Sequence, residues 1–106
     1  MATAAKIDQG SRKTKVNMQV VGITVLYEAL RRNEKIEVKF PGKTVRELID
    51  ALVGEFGTYV RKALLKENGD FKAGIRVLIN GVIYPIENCM QATLSNGDML
   101  VFRAPS

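Results

Sequence analysis

The chain has 106 residues, 46% of them hydrophobic, which is enough for one domain with a single core and little more. It has no histidine and a single cysteine, Cys89. That excludes an internal disulfide, a thiolate-built zinc or iron–sulfur site, and any nucleophile paired with an imidazole. The net charge of +5 is uneven: Lys6, Arg12, Lys13 and Lys15 stand against Asp8 alone, while the body from Asn17 onward is near neutral.

Residues 1–17 are basic, polar and rich in small side chains, so they are expected to form a disordered tail ahead of one domain over 18–106. No aromatic residue is interleaved with their cations. They offer no stacking platform, and nucleic acid is not the expected partner. No apolar run approaches the ~18 residues needed to span a membrane, and no signal-peptide core stands near Met1. A cytoplasmic protein without membrane contact is the expectation.

Met18 to Tyr27 is rich in β-branched residues and predicts a first strand, with Gly22 marking a bulge. Glu28 to Asn33 is polar and predicts a turn. Ile36 to Phe40 alternates apolar with charged residues, the pattern of an antiparallel strand with one wet face, so the two strands should form a hairpin. Pro41-Gly42 ends it. Thr44 with Glu47 three residues later fits a capping box. Val45, Leu48, Ile49, Leu52, Val53 and Phe56 then form one apolar helical stripe, stopped by Gly57. Tyr59, Val60, Ala63 and Leu64 predict a second, shorter helix.

Ile75 to Ile79 predicts a third strand, and Asn80-Gly81 a type I′ turn into Val82-Ile83-Tyr84. Pro85 makes that fourth strand an edge. Glu87 to Thr93 reads as irregular. Asn96-Gly97-Asp98 turns the chain into a last strand from Met99 to Arg103. A mixed sheet packed on one main helix, with a short second helix, is the β-grasp, ubiquitin-like arrangement of the α+β class.

Three segments strengthen that reading. Val77-Leu78-Ile79-Asn80-Gly81 resembles the "V-L-V-N-G" strand and turn of the MoaD/ThiS sulfur-carrier family. Leu94-Ser95-Asn96-Gly97-Asp98 resembles its "L-x-D-G-D" turn, and Thr44 to Ile49 its "T-V-x-E-L-L" helix start. The resemblance implies a small protein that is not itself an enzyme and has no cofactor of its own. It implies protein partners: an E1-like adenylyltransferase and the large subunit of a cofactor synthase, as in molybdopterin biosynthesis. In that family a C-terminal Gly-Gly is adenylated and converted to a thiocarboxylate, threading a channel where a Cβ would clash.

The sequence departs from the family at its end. Phe102-Arg103-Ala104-Pro105-Ser106 occupies the place of "F-x-P-P", and no glycine follows Gly97. As written, the chain is expected not to be competent for thiocarboxylation. It is expected to act by protein–protein docking, in or derived from sulfur-carrier metabolism. The alternative is a genuine sulfur carrier whose Gly-Gly was truncated. Arg103 stands where the family tends to place an aromatic or aliphatic docking residue. If Leu100 and Phe102 face the helix, then Leu78, Met99, Val101 and Arg103 share the opposite face, and these four are the expected partner-binding residues. Cys89, with no neighbouring cation to lower its pKa, is expected to be an inert, partly buried thiol. Glu47, Asp50 and Glu55 share a helix and are expected to be a solvated face. No catalytic, cofactor or metal residue is expected.

Overall fold

Val16, Met18 and Val20 alternate with Lys15, Asn17 and Gln19, and this period of two begins before Met18. In the computed structural model, which describes residues 13–104, Thr14–Val21 forms strand β1 with its even positions buried. The expected tail boundary after residue 17 is therefore corrected, since it falls inside a strand. Thr14 to Asn17 pair antiparallel with Phe40 to Glu37 of strand β2, Lys35–Phe40. The Thr14 hydroxyl donates to the Gly42 carbonyl, and the Lys15 amide donates to Asn96 Oδ1 at 2.8 Å. Lys15 and Asn17 on the outer side of β1 gave this stretch the polar composition of a tail. Residues 1–12 of the expected tail lie outside the described residues.

A second correction follows at Gly22. Its φ of 76° turns the chain out of the sheet, so it ends β1 instead of bulging it. The segment expected to continue the strand is a helix, α1, Thr24–Ala29. Ile23, Leu26 and Leu30 are buried at helical spacing, while Val25 is 52% exposed. The Leu30 amide closes on the Leu26 carbonyl at 2.9 Å. Arg31 and Arg32, at φ 61° and 63°, then reverse the chain into β2. The strands β1 and β2 pair antiparallel as expected, but a helix joins them in place of a tight hairpin turn.

The main helix, α2, spans Val45–Phe56, and Gly57 is its C-cap. Its capping box is formed. Thr44 Oγ1 accepts the Glu47 amide at 3.2 Å, and Glu47 Oε1 accepts the Lys43 and Thr44 amides at 2.8 and 3.1 Å. Val45, Leu48, Ile49 and Leu52 of the stripe are buried. Helix α3, Tyr59–Leu64, follows, with Val60, Ala63 and Leu64 buried and Tyr59 exposed. Strands β3, Arg76–Ile79, and β4, Val82–Tyr84, flank Asn80 and Gly81 at φ 54° and 85°, the positive pair a type I′ turn requires. A short helix, α4, Ile86–Cys89, opens directly after Pro85, within a stretch expected to be irregular. Strand β5 is Met99–Arg103.

The sheet order is β2-β1-β5-β3-β4, with β1 and β5 parallel at its centre and the other neighbours antiparallel. Val16, Met18, Val38, Phe40, Val77, Leu100 and Phe102 point to one side and share a single core with Leu26, Leu48, Leu52 and Leu64 of the helices. All the helical core residues lie on that side. The architecture is the α+β, β-grasp arrangement expected, with α1 and α4 added.

Candidate functional site

The alternation that buries Leu100 and Phe102 sends Met99, Val101 and Arg103 to the opposite face of the sheet. Register places their neighbours. Val101 lies between Leu78 of β3 and Gln19 of β1, and Leu78 is also opposite Ile83 of β4. One row across the sheet therefore reads Ile83, Leu78, Val101, Gln19, Lys35. Met99 pairs with Asn17, and Arg103 lies between Arg76 and Val21. The four residues expected to bind a partner, Leu78, Met99, Val101 and Arg103, are thus brought together on adjacent strands.

Leu78, Met99 and Val101 are half-buried by their strand neighbours, yet they do not pack against the core cluster. Ile83 and Val21, at 56% and 39% exposure, extend the apolar patch. The sequence reading missed these two and Arg76. Their signal was the inside–outside alternation, which becomes informative only once register is known.

The same face carries exposed Lys15, Lys35, Lys39, Arg76 and Arg103 around the apolar centre. Its one carboxylate among the described residues, Glu37, pairs with Lys15 at 3.3 Å. Among the described residues neither Arg76 nor Arg103 has an ion pair or a side-chain hydrogen bond.

Two of the motifs that resemble the MoaD/ThiS family meet at the edge of this face. The Asn80 side chain donates to Asp98 Oδ1 at 3.0 Å and accepts the Met99 amide at 3.0 Å, while Asp98 Oδ2 accepts the Ser95 amide at 2.8 Å. Their work is structural: they lock the start of β5 to the end of β3.

The other candidates sit elsewhere. Cys89 is fully buried at the end of α4, more deeply than expected, and burial pushes its thiol from the usual 9.0 up to about 11. Glu47 is engaged in the helix cap, and the Lys43 amide, then the Thr44 amide and hydroxyl, hold its carboxyl below the usual value. Asp50 pairs with Arg61 at 3.8 Å. Among the described residues, no three His, Cys, Asp or Glu side chains come together to hold a metal ion. No helix there is long and apolar enough to cross a membrane.

No protein-family model and no curated protein matches the chain by sequence. Solved structures do match. Small archaeal modifier protein 1 of Haloferax volcanii aligns with a TM-score of 0.70 and 22% identity, over 88% of this chain and 99% of that one. A chain from the Amycolatopsis orientalis BexX/CysO complex aligns with a TM-score of 0.69 and 22% identity, over 86% and 96%. Urm1 of Trypanosoma brucei aligns with a TM-score of 0.59 and 17% identity, over 91% and 96%. Identities this low speak for fold alone, and the MoaD/ThiS-like resemblance of the motifs is matched at that level. The chain is a β-grasp, ubiquitin-like domain, built on the same fold as the archaeal modifier and Urm1.

Proposed function

We propose that this protein works without catalysis of its own, by docking a protein partner on the open face of its sheet. Leu78, Met99, Val101 and Arg103 form the centre of contact. The observation that carries the proposal is the row of aliphatic side chains across β4, β3 and β5 that takes no part in the core. The fold neighbours support it: one is a modifier protein, and another was solved in a complex with a second protein. On this reading the protein acts in the cytoplasm, in or derived from sulfur-carrier or molybdopterin-type cofactor metabolism. Its partner is an E1-like adenylyltransferase or the large subunit of a cofactor synthase.

The test is affinity capture from native lysate with the full-length protein and with a Leu78→Thr/Val101→Thr variant. An adenylyltransferase or synthase recovered by the first and lost with the second is the expected result. If nothing recovered depends on Leu78 and Val101, the proposal fails.

One observation favours a second reading, a genuine sulfur carrier with a Gly-Gly tail. Strand β5 is held to its end, where the Ala104 amide donates to the Val21 carbonyl at 3.0 Å. Arg103, the last residue of β5, is also one end of the proposed docking face, so a tail beyond it would start from that end of the sheet. Intact mass of the protein from its own cells decides this: a carrier shows a terminal glycine and a form with one oxygen replaced by sulfur.

A further inference from the structure

The antiparallel register of β3 and β5 sets Arg76 directly opposite Arg103. Side chains so paired have Cβ atoms ~5 Å apart, and like charges in that position repel. Among the described residues no side chain pairs with either of them. Among the described residues the carboxylate on this face is Glu37, two strands from β5 on β2 and already paired with Lys15. Both guanidinium groups are exposed, and they border Val101 and Leu78, the next positions inward on the same two strands. Lys35, at the far end of the Val101 row, and Lys39 add charge of the same sign toward the other edge of the sheet.

We propose that the occupant of this face is an acidic protein segment, with aliphatic or aromatic anchors on Leu78, Val101 and Ile83 and a carboxylate bridging Arg76 and Arg103. The proposal rests on the docking reading above and specifies its partner. A carboxylate placed between the two guanidinium groups converts a repulsive pair into two charge-assisted hydrogen bonds, and arginine suits that planar contact better than lysine. The patch between the charges is aliphatic and has no aromatic ring on which a base could stack, which favours a peptide over a nucleic acid.

The experiment is selection of a displayed random-peptide library on the intact chain, followed by titration of the enriched peptides. Titrations use the wild type, Arg76→Glu/Arg103→Glu, and Leu78→Thr/Val101→Thr, with circular dichroism to confirm folding. Ile83→Ser, at a more exposed position, stands in if the threonine pair unfolds. The expected result is enrichment of Asp or Glu beside apolar anchors, binding that weakens with added salt, and a loss of about tenfold or more on arginine reversal. Apolar peptides that need Leu78 and Val101 but ignore the arginine reversal would leave the docking face standing and overturn the acidic partner. Peptides indifferent to both variants, or no enrichment, would overturn both. A random-sequence oligonucleotide that binds more tightly than the selected peptides, and through the same arginines, would assign the face to nucleic acid instead.

Discussion

Asn80 carries an unusual structural load for an exposed turn residue, and replacing it gives a sharp test of how β5 is held. Its backbone sits at φ 54°, its side-chain amide donates to Asp98 at 3.0 Å, and its side-chain carbonyl accepts the Met99 amide at 3.0 Å. Replacement by alanine removes both hydrogen bonds, each worth about 0.5–1 kcal/mol at a solvated position. It also forces a Cβ without a compensating polar group into the left-handed region, at a further ~1 kcal/mol. Asn80→Ala should therefore cost about 2–3 kcal/mol, a large part of the stability of a domain this small. Asn80→Gly loses the same bonds but avoids the backbone strain, and should cost about 1–2 kcal/mol. Urea denaturation followed by circular dichroism measures both values. An Asn80→Ala/Asp98→Ala double-mutant cycle should return about 0.5–1.5 kcal/mol of coupling. Full stability in Asn80→Gly together with zero coupling would show that the side-chain bonds contribute nothing and that only backbone conformation matters there.

Leu26→Ala should destabilise by about 2–5 kcal/mol, because Leu26 is fully buried, whereas Val25→Ser one residue away should be near neutral. No strand buries both Ile23 and Leu26, three residues apart, so a large loss in Ile23→Ala as well as in Leu26→Ala, read from denaturation midpoints, checks the helix α1 directly. The depressed pKa of Glu47 means its charged form is favoured by folding. Its contribution is complete above the unfolded value near 4.5 and is lost as pH falls through the lower folded value. The stability gap between wild type and Glu47→Gln should accordingly narrow in acid, read from denaturation curves across that window. The Cys89 thiol, raised from 9.0 to about 11, should hold roughly a hundredfold less thiolate than a free cysteine near neutral pH. Labelling by a thiol reagent should be slow in the folded protein and fast in denaturant; rapid labelling of the native form would place Cys89 at the surface.

The sequence by itself determined the features whose physics is local. A capping box needs only Thr44 and Glu47 three residues apart, and Asn80-Gly81 satisfies its turn with two backbone angles. The helical stripe of α2 and the alternation of β2 and β5 likewise repeat over distances shorter than the element that shows them. Where local signals conflicted, the reading failed. Ile23 to Tyr27 is β-branched and too short to separate a period of two from one of 3.6, and packing of Leu26 and Leu30 against the core decided for helix. Lys15 looked like part of a tail because the strand it belongs to presents its odd positions to solvent.

The central parallel pairing of β1 with β5 joins residues about as far apart in the chain as it allows, and no local pattern encodes such a contact. The candidate site depends on that pairing. Alternation alone could put Met99, Val101 and Arg103 on one side of a strand, and it could infer Leu78. Only register could set Arg76 against Arg103, Ile83 against Leu78 and Val21 against Arg103, because a shift of one residue would send each of them to the core side.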